Sequence, residues 1–446
     1  MMVSPFTFYR GAAKIMAADL KDTPTAGLQV QLCGDAHLSN FGAFASPERI
    51  LLFDVNDFDE TLPGPFEYDV ERMAASFVVA GRNNGFSRAD SSAAARASVR
   101  AYREAMASFA RMSVMDIWYA KLDQDELQAS MRTAVAGTAK AEKTAKKQDK
   151  ADKRKKAPKK QQKAARKGER QANEQGKAAR EAEKRAEKNL AKAHTRDSLQ
   201  ALSKLGEQVN GGYRIISQPP LIVPARELAA TYGMSPDELM ATLHDRFRAY
   251  RATLPDDRRK LLERYQIVDG ARKVVGVGSV GTRCYIVLLE GRDAGDPLFL
   301  QIKEAVASVY EGYLPKSRYR QHGERVVQGQ LMMQASSDIY LGWAKGVQAN
   351  RNYYWRQLRD MKGSAVVEAM SPFALTYYAG LCGWALARAH ARSGDPVAIA
   401  EYLGGGDAFD KSMTGFAQRY ADENERDYTE FVNAISSGRL EATEGL

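Results

Sequence analysis

Two polar, acidic loops near the start of the chain constrain its fold most strongly. The first loop, Gly34–Asn40, follows an alternating run at Leu28–Leu32 that predicts a short strand. The second loop, Asp54–Glu60, follows the apolar run Ile50–Phe53, which predicts another strand. Asp and Asn are common in turns for conformational reasons alone, so either loop by itself has an ordinary interpretation. Two strand ends that both carry carboxylate or carboxamide oxygens can also converge on a hard cation such as Mg²⁺.

A glycine-rich pattern later in the chain adds a second constraint. Gly276, Gly278 and Gly281 are spaced as in nucleotide-binding loops. A dinucleotide-binding unit needs a helix directly after these glycines, yet Tyr285–Leu289 is strongly strand-like. The following run, Leu298–Lys303, ends in a lysine that can place a positive charge beside phosphate groups. An ordinary hairpin with a surface lysine is the alternative interpretation.

The net charge of +10 comes from one segment of the chain. Lys140–Arg196 contains 22 Lys and Arg against 8 Asp and Glu, a net charge of +14, which leaves the rest of the chain at −4. From about residue 137 to 195 the sequence offers too little apolar surface to order itself, although Ala and Lys favour helix. We therefore expect a solvated, mobile, partly helical insertion. Its charge would allow weak contact with nucleic acid or another acidic surface, without aromatic residues for base stacking.

Several features bear on where the protein acts. No apolar run reaches the roughly 20 residues that a membrane span needs, and the nearest one, Phe373–Leu386, is followed closely by Arg388. Met1–Arg10 lacks a basic segment followed by an apolar one, so we expect no secretory signal. The three cysteines lie far apart and predict neither a disulfide framework nor a zinc site. A cytoplasmic protein without a membrane span is the simplest expectation.

The first loop carries a resemblance to a known group of enzymes. Its run Gly34-Asp35-Ala36-His37-Leu38-Ser39-Asn40 resembles the catalytic loop His-Gly-Asp-x-His-x-x-Asn of aminoglycoside phosphotransferases and related small-molecule kinases. Protein kinases have the same offset between the aspartate and the asparagine. Asp57-Phe58 with the later Tyr68-Asp69-Val70 resembles the metal-binding segment and the downstream Tyr-Asp-Leu of those kinases. Cys33 stands where that family has its first histidine.

This resemblance implies a role for each matching residue. It implies catalytic roles for Asp35 and His37, and Mg²⁺ ligation by Asn40 and Asp57. Asp69 would be structural and would tie its helix to the catalytic loop. Asp54 and Asp59 stay open as alternative metal ligands, because spacing alone does not exclude them.

The glycine pattern and Gln301-Ile302-Lys303 resemble the glycine-rich loop and the strand lysine of protein kinases. In those enzymes a glutamate on the next helix holds the lysine, and here Glu324 is the first candidate and Glu311 the second. The nucleotide-binding residues that this resemblance implies are Gly276, Gly278, Ser279, Gly281, Lys303 and Glu324.

The order of the motifs is reversed relative to kinases, in which the glycine loop precedes the catalytic loop. The resemblance therefore implies a circularly permuted, bilobal, protein-kinase-like α+β fold with a small antiparallel β-rich lobe and a larger helical lobe. The helix at Phe373–His390 would take the place of the helix that enters the catalytic loop. The expected segments are the first part of the helical lobe (1–137), the lysine-rich insertion (138–197), a helical connection (198–262), the β-rich nucleotide-binding lobe (263–362) and the remaining helical lobe (363–446).

A broader resemblance covers nearly the whole chain except the lysine-rich insertion. The segments Ser4–Gly11, Gly34–Gly42 and Asn56–Glu60 resemble those of an uncharacterised bacterial family, the domain of unknown function numbered twenty-two fifty-two. Members of that family usually carry further residues before the Ser-Pro-Phe segment, so we expect this sequence to begin late or to be clipped. The family implies no established substrate.

Together the motifs predict an ATP- and Mg²⁺-dependent phosphotransferase that acts on a hydroxyl of a small molecule or a protein. In this hypothesis the glycine loop and Lys303 hold the phosphates, Asn40 and Asp57 hold the metal, and Asp35 positions the acceptor hydroxyl. Two alternatives stay open. The enzyme could transfer AMP instead of a phosphoryl group, or the protein could be a pseudokinase that binds nucleotide without turnover.

Overall fold

The computed structural model of the protein describes residues 1–154, 158–209, 211–274, 281–347, 350–358 and 361–442. Its secondary structure is mixed α and β, and its named strand pairs are antiparallel. The expected α+β class is therefore confirmed. No helix among the described residues is long and apolar enough to cross a membrane.

In the first third of the chain, four short strands follow two short helices and precede three further helices. Its elements are α1 (Pro5–Gly11), α2 (Ala13–Leu20), β1 (Gln29–Leu32), β2 (Phe41–Ala45), β3 (Leu51–Val55), β4 (Leu62–Pro65), α3 (Phe66–Asn83), α4 (Arg88–Phe109) and α5 (Val114–Tyr119). The sequence pattern predicts one helix over Ser4–Leu20 and another over about Arg88–Leu122, and the structure divides each of them. The first is interrupted at Ala12, and the second stops at Phe109 and restarts after Ser113, whose hydroxyl accepts the N–H of Asp116. A serine in that position caps a new helix and marks the break.

The lysine-rich segment forms two long helices, α6 (Gln124–Arg154) and α7 (Lys159–His194), which pack against each other. The segment is more helical than we expected from its composition. Gly176, Ala179 and Ala182 are buried on α7, so small side chains allow close packing without a large apolar surface. Alanine also has the highest helix propensity, which favours this outcome.

The middle of the chain builds the largest sheet. Its elements are α8 (Ser198–Leu205), β5 (Gly206–Val209), β6 (Gly212–Ile215), β7 (Ile222–Pro224), α9 (Ala225–Leu228), α10 (Pro236–Arg251), α11 (Asp256–Leu262), β8 (Gln266–Lys273), β9 (Cys284–Glu290), β10 (Pro297–Ala305), α12 (His322–Met333), β11 (Gly342–Lys345), β12 (Asn352–Gln357) and β13 (Gly363–Ser364). Six strands pair in the order β11-β12-β10-β9-β8-β7. Helix α12 lies in the chain between β10 and β11.

Both faces of this sheet are covered. On β9, Val287 and Leu289 pack into a cluster with Tyr250 of α10, whereas Ile286 and Leu288 pack into a separate cluster on the opposite face. Successive side chains of a strand point to opposite faces, so a strand buried on both sides reads as the continuous apolar run seen here.

The helical part closes around α3, α4 and the C-terminal helices. These are α13 (Pro372–Ala391), α14 (Pro396–Leu403) and α15 (Ala408–Ser436). Helix α13 packs most extensively on α4, and one large apolar core runs through α3, α4 and α13. The small sheet β13-β2-β3 and the pair β1-β4 lie beside this core and carry the two acidic loops.

Candidate functional site

The loop after β1 is fixed by a carboxylate on α3. The backbone N–H groups of Cys33 and Gly34 donate to the two oxygens of Asp69, at 2.8 and 3.0 Å. The Asp69 Oδ2 atom also lies 3.1 Å from Nε2 of His390 on α13, whose Nδ1 is 2.9 Å from the hydroxyl of Tyr102. Asp69 therefore ties its helix to the loop in the way expected of it. His390 serves this buried network.

Gly34 allows the two acidic loops to approach closely. Its φ is +84°, in the left-handed region that favours glycine. A Cβ atom added to Gly34 would lie 2.3 Å from the backbone oxygen of Glu60 at the end of the second loop. Glycine is therefore required here for the backbone conformation and for the space.

Asp35 is held by a buried arginine that the sequence analysis did not single out. Arg72, 1% exposed on α3, donates from Nε and NH2 to Asp35 Oδ1, both at 2.8 Å, and from NH2 to the Tyr9 carbonyl oxygen at 2.7 Å. Its guanidinium also lies 4.0 Å from the centre of the Tyr9 ring. Arg72 comes three residues after Asp69, so both residues face the loop from one side of the helix. That spacing is the signal that could have identified it.

His37 lies beside Asp35 and is neutral near pH 7. Its Nε2 is 3.5 Å from Asp35 Oδ2, and its Nδ1 accepts the N–H of Ser39 at 3.2 Å. Burial, together with the charges of Arg72 and Arg10, lowers the pKa of His37 to about 4 against the opposite effect of Asp35. Because Nδ1 accepts a hydrogen bond, we assign the single ring proton to Nε2, which faces Asp35.

Strand pairing brings Asn40 next to Asp57. Phe41 pairs with Val55, and the N–H of Asn56 donates to the Asn40 carbonyl oxygen at 2.8 Å. The side-chain nitrogen of Asn40 donates to the Asp35 carbonyl oxygen at 2.9 Å, so its amide oxygen is the atom left for a cation. Asn56 pairs with Asn40, and Asp57 is the next residue in the chain. The two expected metal ligands are therefore neighbours across the β2-β3 pair.

Asp57 keeps a partly open carboxylate beside several cations. Its side chain is 33% exposed, and its Oδ2 atom is 3.6 Å from Nζ of Lys303. Burial raises the pKa of this carboxyl, but the positive charges of Lys303, Arg356 and Lys362 outweigh it and lower the pKa to about 2. Asp57 is therefore an anion at any ordinary pH.

Lys303 on β10 is buried and reaches across to the second acidic loop. Its Nζ lies 2.5 Å from Asp59 Oδ2, and the hydroxyl of Tyr354 donates to Asp59 Oδ1 at 2.7 Å. Burial lowers the pKa of Lys303, but Asp57 and Asp59 together raise it well above the ordinary value. Both oxygens of Asp59 are thus engaged by protein groups.

The helix after β10 does not supply the expected partner for this lysine. Within the described ranges the ion pairs of Lys303 are with the acidic loop, and neither Glu324 nor Glu311 is among them. The buried residue of α12 at this place is Arg325, which donates to the backbone oxygens of Asp59 at 2.7 Å and Thr61 at 2.5 Å. Helix α12 therefore holds the loop through its backbone, and the loop in turn holds Lys303.

Two further cations complete the cluster around Asp57. The Nε of Arg356 donates to Gln301 Oε1 at 3.0 Å, next to Lys303 on the same sheet. The Arg356 charge, together with burial, lowers the pKa of Lys362 to about 7. Like charges disfavour each other in this way when no anion separates them. The sequence pattern favours a solvated strand position for Arg356 over the alternative of a nucleotide contact, and it gives no indication for Lys362, because nothing local links either residue to Asp57.

The alternative metal ligand Asp54 is occupied. It is buried, and its Oδ2 accepts from NH2 of Arg388 at 2.6 Å and from the N–H of Ala335 at 3.0 Å. Its Oδ1 accepts the N–H of Val55 at 2.9 Å. Asp54 therefore serves a structural ion pair between β3 and α13.

The structure describes only the end of the glycine loop. Gly276, Gly278 and Ser279 lie outside the described residues. Gly281 is described, is exposed and has a φ of +87° just before β9. Two residues later the N–H of Arg283 donates to Glu304 Oε2 on β10 at 3.0 Å, which fixes the start of β9.

The candidate magnesium site has few protein ligands. Among the described residues, no group of three or more His, Cys, Asp and Glu is arranged to hold a metal ion. A Mg²⁺ site of one carboxylate, one amide oxygen, substrate phosphates and water would not form such a group.

The site thus combines a carboxylate loop, a second acidic loop and a cluster of buried cations. Comparison with protein families gives one match, over residues 1–187 and 157–434, to the family described as an uncharacterized protein conserved in bacteria, DUF2252. The chain belongs to this family, which confirms the resemblance noted in its N-terminal motifs, and the matched ranges also run across the lysine-rich segment. No curated protein and no solved structure matches the chain.

Proposed function

We propose that this protein is an ATP- and Mg²⁺-dependent phosphotransferase whose kinase-like site is assembled from a circularly permuted chain. One observation carries the proposal. Lys303 lies 3.6 Å from Asp57 although 246 positions separate them in the sequence, and Asp57 is adjacent to Asn40 of the loop that contains Asp35. The strand lysine and the two acidic loops therefore lie close together in the structure.

The topology of the large sheet supports the same proposal. Lys303 lies on β10, the third strand of the run β8-β9-β10, and the glycine pattern falls between β8 and β9. The next α-helix in the chain, α12, comes after a short 3-10 helix at Val309–Gly312. Strand β12 then pairs with β10, and β11 pairs with β12. Protein kinases likewise have the glycine loop before the lysine strand, the lysine on their third strand and a helix next.

The residues fit a magnesium nucleotide. Lys303, Arg356 and Lys362 would hold the phosphates, because three clustered cations, one with its pKa lowered to about 7, favour a polyanion. The amide oxygen of Asn40 and the carboxylate of Asp57 would hold Mg²⁺, which takes one or two carboxylates and completes its shell with phosphates and water. The cation would neutralise charge that develops on the phosphates.

Asp35 would orient the acceptor hydroxyl. Its Oδ1 is bound by two nitrogens of Arg72, so the orientation of the carboxylate is fixed. A carboxylate of fixed orientation suits phosphoryl transfer, since positioning and charge stabilisation do most of the work there. Neutral His37 would donate from Nε2 toward the same carboxylate and help to hold it.

Calorimetry with ATP, with and without Mg²⁺, tests the proposal. We expect Mg²⁺-dependent binding by the natural protein and a loss of about tenfold or more in affinity for Lys303→Ala, since a charge-assisted contact is removed. Lys345→Ala is the matched control, because Lys345 is an exposed lysine on β11 of the same sheet. Absence of ATP binding by the natural protein, or equal loss in both variants, would refute the nucleotide site.

A product assay then separates the two transfer reactions. ADP formed in step with a phosphorylated acceptor indicates phosphoryl transfer, whereas released pyrophosphate indicates transfer of AMP. Nucleotide binding without either product, across small-molecule and protein acceptors, would identify a pseudokinase.

A further inference from the structure

A cavity of about 660 Å³ lies between the lysine-rich helix pair and the helical lobe. Its walls come from α6, α7, α13 and the small sheet β13-β2-β3. Its lining includes none of Asp35, Asn40, Asp57 and Lys303, so it is separate from the candidate nucleotide site. Small-molecule sites in proteins are typically about 300–1,000 Å³, so the cavity is large enough for a ligand.

The floor of this cavity is apolar. Phe53 of β3, Leu127 and Met131 of α6, and Tyr378 and Leu381 of α13 all line it. The flexible, polarisable methionine and the flat tyrosine ring suit an unbranched hydrocarbon chain that has no polar groups of its own. Every methylene of such a chain that leaves water strengthens binding about fourfold.

The mouth of the cavity carries an excess of positive charge. Five basic residues line the cavity against three acidic ones, Glu181, Glu183 and Glu187. Glu181 is 4.0 Å from Lys177, which does not line the cavity. Across the described part of the chain, Lys192 and Arg132 make no ion pair within 4 Å, so their charges are open to a ligand.

The remaining contacts fix this side of the mouth in place. Arg185 of α7 donates to the carbonyl oxygen of Ala369, and Arg196 after α7 donates to that of Lys362. Leu190 and Ala193 pack against the cluster that contains Met361. These contacts hold α7 over the apolar floor of the cavity. Lys192 lies between Arg185 and Arg196 in the sequence.

From these features we infer that the cavity is a binding site for a single-chain amphiphile with an anionic head, such as a fatty-acid carboxylate. The hydrocarbon chain lies on the floor formed by α6, β3 and α13, and the head lies at the basic mouth near Lys192. The ligand is taken up as a free molecule, since the site is a cavity between helices and not a flat surface.

Calorimetric titration with dodecanoate below its micelle concentration tests this inference. We expect saturable binding of one molecule per chain, about tenfold weaker for decanoate because two methylenes are lost. Dodecyltrimethylammonium, with the same chain and the opposite charge, should bind at least about tenfold more weakly than dodecanoate, since charges in the mouth then repel it.

Variants distinguish this cavity from other apolar surfaces. Ala374→Trp on α13 and Ala186→Trp on α7 each place an indole in the cavity, and both should abolish binding. Lys192→Glu should weaken it about tenfold. Lys184→Glu, on the same helix but outside the lining, should leave it within about twofold. Circular dichroism and thermal unfolding identify any variant that fails to fold, and the second tryptophan variant then decides.

Three results would overturn the inference. They are no saturable binding of dodecanoate, binding that both folded tryptophan variants retain, and equal affinity for the anionic and cationic amphiphiles. Vesicles containing phosphatidylglycerol provide a further arm, because retention on vesicles by both tryptophan variants, without binding of free dodecanoate, would point to a membrane surface instead. ATP binding is measured separately, so failure here leaves the nucleotide site untouched.

Discussion

Lys303 is paired most closely with Asp59, at 2.5 Å from Nζ to Oδ2, and more loosely with Asp57, at 3.6 Å. The carboxylate that holds the lysine thus belongs to the same loop as the candidate metal ligand. Tyr354 occupies the other oxygen of Asp59. Asp59 therefore holds Lys303, whereas Asp57, two residues earlier, is the candidate metal ligand.

The first prediction separates those two aspartates. Asp57→Asn should abolish the increase in ATP affinity that Mg²⁺ produces, because it removes a charged ligand of the cation. Asp59→Asn should keep that increase, because both oxygens of Asp59 already serve Lys303 and Tyr354. Calorimetry at several Mg²⁺ concentrations measures the effect. Asp22→Asn, at a side chain 84% exposed, is the control, and a reversed pattern would move the metal to Asp59.

The second prediction concerns the buried pair of Asp54 and Arg388. Arg388→Met should lower the free energy of unfolding by about 3–5 kcal/mol, because it leaves a carboxylate buried without its cation. Arg96→Met removes an arginine from an exposed pair with Asp407 and should cost less than about 1 kcal/mol. Urea unfolding compares the two variants. A similarly small loss of unfolding free energy in both variants would mean that another group compensates the buried Asp54 carboxylate.

The third prediction rests on two glycines with positive φ. Gly34→Ala and Gly27→Ala both force alanine into the left-handed region, which costs about 1–2 kcal/mol. Gly27 has open space around its Cβ position, whereas a Cβ on Gly34 would lie 2.3 Å from the Glu60 backbone oxygen. Gly34→Ala should therefore destabilise the protein by clearly more than Gly27→Ala and also weaken ATP binding. Equal thermal unfolding shifts for the two variants would contradict the close approach of the loops.

Local patterns in the sequence predicted the elements that carry the site. The strand expected at Leu28–Leu32 is β1, and the apolar run before Lys303 is β10. The pattern from about Tyr68 to Gly81 predicts a helix, which is α3 (Phe66–Asn83). These elements were predictable because their own periodicity and their flanking turns specify them. The role of Asp69 comes instead from the resemblance of Tyr68-Asp69-Val70 to the downstream Tyr-Asp-Leu of small-molecule kinases.

Contacts between distant segments were not predictable in the same way. Lys303 and its partner Asp59 are 244 positions apart. The predicted partner of Lys303 was Glu324, because it lies on the next helix in the chain. Packing determines the face of α12 that points at the loop. In the structure that face carries the buried Arg325 and not Glu324. Lys362 was overlooked because its environment is created by Arg356 and Asp57 only after folding. Local sequence carries no signal for these relationships.

The fourth prediction concerns a buried carboxyl on α3. Burial, and then the nearby Glu67, raise the pKa of Glu71 to about 8 from an ordinary value of 4.5. Between these two values the folded protein binds more protons than the unfolded chain, so stability falls as pH rises. Glu71→Gln removes this dependence. The unfolding free energy of Glu71→Gln minus that of the natural protein should increase by roughly 1–3 kcal/mol from pH 5 to pH 8.

Thermal and urea unfolding across this pH range measure the difference. Glu401→Gln on α14, at an exposed position, is the control and should shift stability equally at both pH values. A constant difference between Glu71→Gln and the natural protein would show that Glu71 ionises normally in the folded state.

The fifth prediction follows from Lys362, whose pKa the Arg356 charge and burial lower to about 7. At pH 8 this amine is mostly neutral in the free protein. A bound triphosphate would add negative charge beside it, favour the protonated form and raise its pKa again. Binding of ATP at pH 8 should therefore take up a proton, and ATP affinity should fall as pH rises above about 7.

Calorimetry at pH 8 in buffers of different ionisation enthalpy measures this proton directly, because ATP is already fully ionised there. Lys362→Gln should bind ATP more weakly near pH 7 and should lose the proton uptake, whereas Lys345→Gln, at an exposed lysine, should keep it. If Lys362 lay away from the phosphates, its variant and the natural protein would show the same uptake. Since no other part of the proposal depends on this proton, its presence would locate the phosphates beside Lys362 independently of the Mg²⁺ measurements.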